Sequence, residues 1–448
     1  MKIKICFIIA AVTLLNIALC GCTGDSKTVV TDKEGNVIST LTDMTYGKSE
    51  YKDENYKAFA HLAFDEAAEI LADKYNWELD KAKKKLETKK YTIVTTFDKK
   101  VLEENLKNTY NDCKLATAIL RLDGSISAVF AKDKDDLKIN YATNKTNPGS
   151  TFKPLSVYAP AIDNETVCWS TMFEDSPVGT VKNDEGEEVY WPQNASGVYT
   201  NRNYSVSKAI KESTNTVAVK CLQKYGADNS IKFLKDNFQI DLTYEQNVSL
   251  FAGNEQVLNN IALGYFSSGV SVVDMAGFYG IFANEGKYIK PYCVSEIKNN
   301  LGLRVYKAKP QTKQVVTKET ANLCNLLLRE VVKPYGTGED AAVEGVDIAG
   351  KTGTTNNYED NWFVGVTPEY LTAVWHGSDF GTNVADKIYS LIMTDLLKKS
   401  DKKNFPEYDN IVTRVYCDES GGVITKNCKK MGIGYFSVKN IPDDCSIH

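Results

Sequence analysis

Hydrophobic and polar positions change pattern several times along the first ninety residues. An apolar run from Ile5 to Leu19 follows two lysines, and residues 23–50 are polar without a regular period, which predicts a tether. From residue 51 to residue 90, apolar side chains recur at helical spacing, with carboxylates on the opposite, solvated face. The apolar face consists of Phe59, Leu62, Ala63, Ala67, Ile70 and Leu71, and the carboxylates are Asp65, Glu66 and Glu69.

Strand patterns begin after this helical segment. Residues 91–97 are β-branched and aromatic, and residues 115–122 and 125–130 flank Asp123-Gly124. Asp-Gly between two such runs predicts a β-hairpin, because both turn residues tolerate positive φ.

Helical spacing dominates the middle of the chain, at residues 150–285 and again at 318–333. A second antiparallel pair of strands is predicted beyond it, at residues 362–366 and 370–375. Strands on both sides of a helical middle favour a mixed α/β (α+β) fold whose sheet is completed late in the sequence.

The apolar run at the start of the chain is typical of an export signal. Its fifteen residues, interrupted by Asn16, are fewer than the roughly 20 that a membrane-spanning helix needs. It ends in Leu19-Cys20-Gly21-Cys22, which resembles the lipobox of bacterial lipoproteins with Cys22 as the lipidated residue. We therefore predict a signal peptide over residues 1–22 and a lipid anchor at the outer face of the cytoplasmic membrane. The alternatives are an uncleaved anchor, or plain secretion with Cys22 unmodified.

Composition narrows the possible chemistry. The 448 residues leave room for two or three domains, and 43% hydrophobic with 25% charged residues is the balance of a globular protein. A formal net charge of -5 offers no basic surplus for phosphates, so no nucleic-acid partner is predicted. Eleven cysteines are scattered without a Cys-x-x-Cys pair and there are only three histidines, so we expect no metal site, no cofactor and no Ser-His-Asp triad.

Ser150-Thr151-Phe152-Lys153 is the first of three chemical motifs. Ser-x-x-Lys alone carries little information, since it occurs four more times in the chain. This copy follows Pro148-Gly149, a turn signal, and precedes Pro154, which is tolerated only in the first turn of a helix. Ser150 is therefore expected at a helix N-terminus, with Lys153 one turn later on the same face. A lysine whose pKa is lowered by burial and by a second cation can take the serine proton.

Two further motifs supply the remaining groups. Lys351-Thr352-Gly353-Thr354 contains the only Lys-(Ser/Thr)-Gly of the chain, and it offers the second cation together with hydroxyls for a substrate carboxylate. Its glycine removes a side chain where a substrate backbone would approach a strand edge. Ser213-Thr214-Asn215, the only Ser-x-Asn, lies in the predicted helical stretch 205–226 and offers a hydroxyl and an amide. Each motif alone is compatible with an ordinary surface turn or helix.

The order Ser-x-x-Lys, Ser-x-Asn, Lys-Thr-Gly resembles that of β-lactamases and penicillin-binding proteins. The chain resembles the transpeptidase domain of penicillin-binding proteins over about residues 90–400, most closely the class A (bifunctional) group, and the resemblance includes Trp191-Pro192-Gln193-Asn194, Asn284-Glu285-Gly286 and Asn361–Trp375. It implies a β-lactamase/transpeptidase-like fold, with an antiparallel sheet flanked by helices and a helical subdomain.

The same resemblance implies a reaction. Ser150 would be acylated by the penultimate D-Ala of a peptidoglycan stem peptide, with Lys153 as the base and Ser213 returning a proton to the leaving amine. An amine on a second stem peptide would then resolve the acyl-enzyme and form a cross-link. β-Lactams would acylate the same serine as inhibitors.

The resemblance also implies how the substrate is held. Asn215 would orient it, and the Lys-Thr-Gly segment, with Lys351, Thr352, Gly353 and Thr354, would hold its terminal carboxylate. The oxyanion hole would consist of the backbone N–H groups of Ser150 and Thr354.

The predicted domain organisation departs from class A members, which carry a glycosyltransferase domain before the transpeptidase. The segment between Cys22 and residue 90 is too short for such a domain, so a separate glycosyltransferase is expected as a partner. We divide the chain into a signal peptide (1–22), a tether and helical linker (23–90), a transpeptidase domain (91–400) and a Cys-containing tail (401–448). The tail is similar to that of some Gram-positive members.

Alternative functions remain open at this point. A D,D-carboxypeptidase uses the same residues and differs only in that water resolves the acyl-enzyme. A non-enzymatic β-lactam receptor or wall scaffold is the binding alternative, whereas a class A β-lactamase, which would need an efficient deacylating base, is disfavoured. His376 is expected to be packed rather than catalytic. In the tail, Cys417 and Cys428 are candidates for a disulfide with Cys445 left over, although spacing does not establish pairing.

Overall fold

The computed structural model describes most of the chain, in seven stretches: residues 27–106, 114–132, 139–183, 185–252, 260–355, 360–377 and 384–448. The predicted signal peptide and Cys22 lie outside them. Within these stretches, no helix is both long enough and apolar enough to cross a membrane.

The first part of the chain forms a layer of short strands and two helices. In chain order its elements are β1 (Val29–Thr31), β2 (Val37–Thr40), β3 (Glu50–Tyr51), α1 (Lys57–Tyr75), α2 (Leu79–Thr88) and β4 (Thr92–Thr95). The first strand pairs antiparallel with β2 and parallel with β4. The tether predicted for residues 23–50 is therefore corrected, since three segments of it and of the following residue, 29–31, 37–40 and 50–51, are strands of a sheet. They are held there because Val30, Ile38 and Leu41 bury their side chains.

The carboxylate face of α1 also differs from the prediction of a solvated face. Glu66 accepts hydrogen bonds from the backbone N–H groups of Cys293 (2.6 Å) and Val294 (3.2 Å) and from the Cys293 thiol (2.9 Å). This side chain therefore ties the helix to a strand more than two hundred residues away in sequence.

A second sheet begins after α3 (Lys99–Leu106). Its first strands, β5 (Lys114–Arg121) and β6 (Ile126–Lys132), pair antiparallel around Asp123-Gly124, so the predicted hairpin is confirmed. The glycine has φ +81°, the backbone conformation for which this turn residue was predicted.

The middle of the chain is mainly helical, with short two-stranded ribbons. The helices are α4 (Ala159–Asp163), α5 (Val206–Lys211), α6 (Asn215–Tyr225), α7 (Ala227–Phe238), α8 (Thr243–Ala252) and α9 (Val272–Tyr279). The ribbon strands are β7 (Met172–Glu174), β8 (Gly179–Lys182), β9 (Glu188–Trp191) and β10 (Asn203–Ser205). The predicted helical stretch 205–226 consists of two helices, since α5 ends before Ser213 and α6 begins after it.

The chain then completes both sheets. The next elements are β11 (Lys287–Ile289), β12 (Val294–Lys298), β13 (Arg304–Lys307), β14 (Thr312–Gln314) and α10 (Lys318–Val331). Strand β12 pairs with β4 and β13, which gives the N-terminal sheet the order β13-β12-β4-β1-β2-β3.

The central sheet receives its last strands from β15 (Ala349–Thr354), β16 (Asp360–Val366) and β17 (Tyr370–Gly377). Its order is β15-β16-β17-β5-β6, with every neighbouring pair antiparallel. Helices α9 and α11 (Ala385–Leu397) pack against it. The predicted mixed α/β fold with an antiparallel sheet flanked by helices is confirmed, and so is the predicted pairing of β16 with β17.

The tail forms a hairpin of β18 (Ile411–Cys417) and β19 (Met431–Ser437). It lies against the helical subdomain, where Trp169 and Tyr435 make an edge-to-face ring contact with centroids 4.9 Å apart. The Ser170 hydroxyl donates to the carbonyl oxygen of Gly421 at 2.5 Å. The tail is therefore docked on the rest of the protein through its turn and its second strand.

Candidate active site

The first motif forms a tight turn that leads into a helix. Gly149–Phe152 is a 3-10 turn, and the chain continues through a π-helical stretch, Pro154–Tyr158, into α4. Ser150 is partly exposed in this turn, whereas Lys153 is fully buried. The serine is thus accessible to a ligand, and the lysine is not.

Glycines allow three segments to meet at this turn. A Cβ on Gly353 would lie 2.5 Å from the Pro148 carbonyl oxygen and 3.1 Å from the Thr151 nitrogen. A Cβ on Gly264 would lie 2.1 Å from the Gly149 carbonyl oxygen. The end of β15 therefore touches the Ser150 turn directly. We expected Gly353 to make room for substrate backbone, and the structure gives a nearer reason, because it makes room for the turn itself.

Hydrogen bonds hold the turn in place. The Asn147 side chain accepts from the backbone N–H of Phe266 at 3.1 Å, and its carbonyl oxygen accepts from Nε1 of Trp362 at 3.2 Å. The buried Tyr279 hydroxyl donates to the Thr151 carbonyl oxygen at 2.5 Å. In the sequence, Asn147 is marked only by the neighbouring motif, and no pattern marks Tyr279.

Lys153 joins the first motif to the second. Its Nζ donates to the Ser213 carbonyl oxygen at 2.7 Å and to Oδ1 of Asn215 at 2.6 Å, and it lies 3.4 Å from the Ser213 hydroxyl. Residues sixty positions apart in sequence therefore converge on one amine.

A break between two helices presents the Ser-x-Asn motif to Lys153. Ser213 has φ +58°, a left-handed conformation that is uncommon for residues other than glycine, and it separates α5 from α6. Nδ2 of Asn215 donates to the Gln193 carbonyl oxygen at 2.6 Å, and its backbone N–H donates to Oδ1 of Asn194 at 2.9 Å. The loop before the motif therefore fixes which way the Asn215 amide points.

Asp175 organises that loop, and no sequence signal identified it. Its carboxylate accepts hydrogen bonds from Asn194, Thr200 and Thr216. Burial alone would raise the pKa of Asp175, but these hydrogen bonds outweigh it, and the pKa is lowered. The charged form is thus the one that the loop stabilises.

The third motif contributes a second buried amine. Lys351 has no exposed surface, and its Nζ lies 3.2 Å from the Thr352 carbonyl oxygen and 3.3 Å from the Thr352 hydroxyl. That hydroxyl donates to Oγ1 of Thr337 at 2.8 Å, a partner that the sequence analysis missed. Thr354 lies partly exposed at the end of β15, beside Gly149.

Burial perturbs both lysines. It lowers the pKa of Lys351 to about 7. Burial also lowers the pKa of Lys153 well below its ordinary value, and the positive charge of Lys351 lowers it further. Desolvation is the larger cause of the Lys153 shift, and the charge that Lys351 carries when protonated is the smaller one.

The remaining predicted groups lie elsewhere. His376 is buried in β17 with 5% of its surface exposed, as expected for a packed side chain. Within the described residues, the cluster of histidine and cysteine side chains that could hold a metal ion lies in the tail and not at this site.

Sequence comparisons connect this arrangement to known proteins. Residues 87–393 match the family described as "Penicillin binding protein transpeptidase domain". Penicillin-binding protein 1A of Clostridium botulinum (strain Langeland) is 29% identical over 360 residues, which are 75% of this chain and 42% of that protein. Penicillin-binding protein 1A of Clostridium tetani is 27% identical over 433 residues, 88% of this chain and 54% of that protein. The chain thus spans about half the length of the curated relatives it matches.

Solved structures show the same fold. The D,D-transpeptidase domain of a peptidoglycan glycosyltransferase from Eggerthella lenta matches with a TM-score of 0.61 at 21% identity, covering 84% of this chain and 99% of that one. Penicillin-binding protein 1A from Haemophilus influenzae matches with a TM-score of 0.60 at 22% identity, covering 75% and 54%.

Proposed function

This chain belongs to the penicillin-binding protein transpeptidase family, and from that premise we propose that it is a serine D,D-transpeptidase that cross-links peptidoglycan stem peptides. The observation that carries the proposal is the pair of fully buried lysines beside a partly exposed serine turn. A serine hydroxyl needs a neighbouring base, and an amine serves as one only when its pKa is lowered.

The contacts of Lys153 suit a base. A neutral amine has two N–H groups and one lone pair. Its hydrogen bonds to the Ser213 carbonyl oxygen and to Oδ1 of Asn215 use both N–H groups. The orientation of the Asn215 amide, fixed by Gln193, supports this assignment because Oδ1 must accept. The lone pair is then left for a hydroxyl proton.

The proposed acylation follows from these positions. Ser150 Oγ attacks the carbonyl carbon of the penultimate D-Ala while Lys153 accepts the hydroxyl proton. The bond to the terminal D-Ala nitrogen breaks, and that amine leaves with a proton delivered through Ser213. An acceptor amine on a second stem peptide then attacks the ester carbon, the bond from that carbon to Ser150 Oγ breaks, and the proton lost by the amine passes to Oγ, which frees Ser150 and forms the cross-link.

Stabilisation of the tetrahedral intermediate is assigned to the backbone N–H groups of Ser150 and Thr354. The close packing of Gly149 and Gly353 sets the spacing between the two segments that carry these donors. Removing one such donor typically costs about 2.7–4 kcal/mol of transition-state stabilisation. Lys351 and Thr352 are assigned to the terminal carboxylate of the stem peptide.

Two alternatives use the same site. A D,D-carboxypeptidase would release the acyl group to water, and a β-lactam receptor would keep it. The lipid anchor at Cys22 and the separate glycosyltransferase partner stay predictions, as does a location at the outer face of a Gram-positive cytoplasmic membrane.

The proposal is tested by labelling with a fluorescent penicillin. We expect a stable adduct on the wild-type chain and none on Ser150→Ala. Ser295→Ala, which alters another Ser-x-x-Lys copy, is the matched control and should label normally. Labelling that survives Ser150→Ala, or folded wild-type protein that never labels, would contradict the assignment.

The fate of the acyl group distinguishes the alternatives. With stem peptides as substrate we expect a cross-linked dimer together with free D-Ala. Free D-Ala with only shortened monomer would indicate a carboxypeptidase, and a persistent adduct without turnover would indicate a receptor.

A further inference from the structure

Four side chains of the tail converge outside the proposed active site. Cys417 ends β18, Cys428 lies in the loop before β19, and Cys445 and His448 follow that strand. Their sulfur and nitrogen atoms all lie within 4.8 Å of one another. The three cysteines are free thiols, so the disulfide considered between Cys417 and Cys428 is not formed in this structure.

We propose that Cys417, Cys428, Cys445 and His448 bind one Zn²⁺ ion as a structural Cys₃His site. Such sites are tetrahedral and closed, with all four ligands supplied by the protein. A donor set of three soft thiolates and one imidazole favours zinc among the common divalent metals.

The distances fit a tetrahedral ion. Nδ1 of His448 lies 3.4 Å from Sγ of Cys417 and 3.5 Å from Sγ of Cys445. Zinc bonds of about 2.3 Å to sulfur and about 2.0–2.1 Å to nitrogen hold these two elements about 3.6 Å apart in a tetrahedron. Sulfur atoms on such an ion lie about 3.8 Å apart, and because all the ligand atoms lie within 4.8 Å of one another, no pair needs to contract by more than about 1.3 Å.

The neighbours of the cluster match the outer shell of a zinc site. Nε2 of His448 lies 3.1 Å from a carboxylate oxygen of Glu419, which leaves Nδ1 as the ligand atom. A carboxylate behind a ligating histidine fixes its ring and strengthens it as a donor. The Thr425 backbone N–H donates to Sγ of Cys428 at 3.3 Å, and the Thr425 hydroxyl donates to the His448 carbonyl oxygen at 3.1 Å.

The tail has little apolar core of its own. In residues 401–448, all of which the structure describes, the buried apolar side chains apart from two cysteines are Tyr416 and Phe436. Met431 and Ile433 of β19 are more than half exposed. A hairpin with so small a core usually needs a disulfide or a metal ion. A disulfide would join two of the thiols and leave the third against the imidazole, whereas one ion uses all four groups.

The ion would fasten the end of the chain to the hairpin. The Cys445 backbone N–H donates to the Val423 carbonyl oxygen at 2.7 Å, and the Cys417 N–H donates to that of Gly422 at 2.8 Å. Both ligands are thus hydrogen-bonded to one small loop, residues 421–423. The same loop contacts Ser170 of the helical subdomain. We infer a structural role, separate from the chemistry proposed at Ser150.

The test is the metal content of the full chain, purified without added reductant and without a metal-affinity step. We expect about one zinc per chain by elemental analysis, and free Cys417, Cys428 and Cys445 when alkylation is mapped by mass spectrometry after the metal is removed. Replacing zinc with Co²⁺ should give the charge-transfer absorption of a thiolate-bound cobalt ion. Zinc should be lost in Cys445→Ser and retained in Cys168→Ser, a matched thiol outside the cluster.

Because loss of a ligand could unfold the tail, a second variant tests the site with all four ligands in place. Glu419→Gln keeps all four ligands, and loss of the carboxylate should weaken zinc affinity about 10–100-fold in competition with a chelator. Fluorescent penicillin labelling reports folding of each variant independently. A metal-free chain with a disulfide among these cysteines would overturn the proposal, and so would zinc that is retained at full stoichiometry in Cys445→Ser.

Discussion

The two polar clusters of this protein are stabilised in opposite ways. Around Lys153, each group comes from a different element of a large core, and the protein itself supplies the hydrogen-bond partners of the amine. Around His448, the groups come from one short stretch of chain on a hairpin with little core, and three thiols face one imidazole. The first cluster is therefore complete without a ligand, whereas the second is best completed by an ion.

The two clusters differ in how much core surrounds them, and therefore in whether that core can offset the free-energy cost of burying polar groups. Burying an amine costs free energy that must be offset by the packing around it, and the lowered pKa values of Lys153 and Lys351 are the signature of that cost. A large core can absorb it, and the neutral amine that results is the base that we propose. A small hairpin cannot, and an ion bound to its ligands contributes folding free energy instead.

Removing the amine itself should have the largest effect on the first cluster. Lys153→Met keeps the length of the side chain but leaves Ser150 without a base, and general-base catalysis typically contributes 10²–10⁴-fold. We therefore expect the second-order rate constant for penicillin acylation to fall by about that factor. Stopped-flow or gel-based labelling over a range of penicillin concentrations measures it.

Lys208→Met is the matched control for that experiment. Lys208 belongs to another Ser-x-x-Lys copy, and its side chain is 46% exposed. The Lys208→Met protein should be acylated by penicillin at the wild-type rate. If both variants acylated normally, the buried amine would not be the base and the contrast between the clusters would lose its chemical meaning.

Disturbing the packing beneath the cluster should have the next largest effect. Gly353→Ala places a methyl group 2.5 Å from the Pro148 carbonyl oxygen, so the Ser150 turn and the end of β15 must separate. A displacement near 1 Å at a reacting group costs on the order of 10²-fold in rate. We expect a loss of that size in penicillin acylation, with zinc content unchanged because the tail is untouched.

Gly179→Ala is the control, since a Cβ there meets nothing within 4 Å. Its acylation rate should equal that of the wild type. A Gly353→Ala protein that acylates normally would show that the turn tolerates the shift, and that the close approach of β15 is not what prepares the site.

The same contrast explains how far sequence could lead. The hairpin at Asp123-Gly124 and the pairing of β16 with β17 were predictable because local turn chemistry and strand patterns encode them. The three motifs were recognised as a set because their residue types and their order resemble those of the family to which the chain belongs. Their meeting at Lys153 is consistent with that set.

Other features depend on contacts between distant segments and left no local pattern. The helix break at Ser213 occurs inside a continuous helical pattern, and its partners come from the loop at Asn194 and from Lys153. Strand β1 has only three residues, and it is held in the sheet because β4 and β2 pair with it. The tail ligands have irregular spacing, so only the fold brings them together.

The pH dependence of stability should show the cost of the buried amines directly. Lys351 has a pKa of about 7 in the folded chain, while an exposed lysine in the unfolded chain has one near 10.4. Between these values the unfolded state binds one more proton, so the free energy of unfolding rises with pH, at up to about 1.4 kcal/mol per pH unit from this group. Below the folded pKa both states are protonated and this contribution becomes flat.

Lys351→Met should remove that rise. Urea unfolding of the wild type and the variant at pH 6 to 9 gives the difference between their free energies of unfolding at each pH, and we expect the wild type to gain on the variant as pH increases above about 7. Lys232→Met, at a side chain that is 76% exposed, is the control and should follow the wild type. Because the wild type and the variant share the tail, its ligands cancel in this difference. A difference that stays constant over the whole range would mean that Lys351 is charged in the folded protein. The cost of burying this amine would then not be what distinguishes the core cluster from the tail cluster.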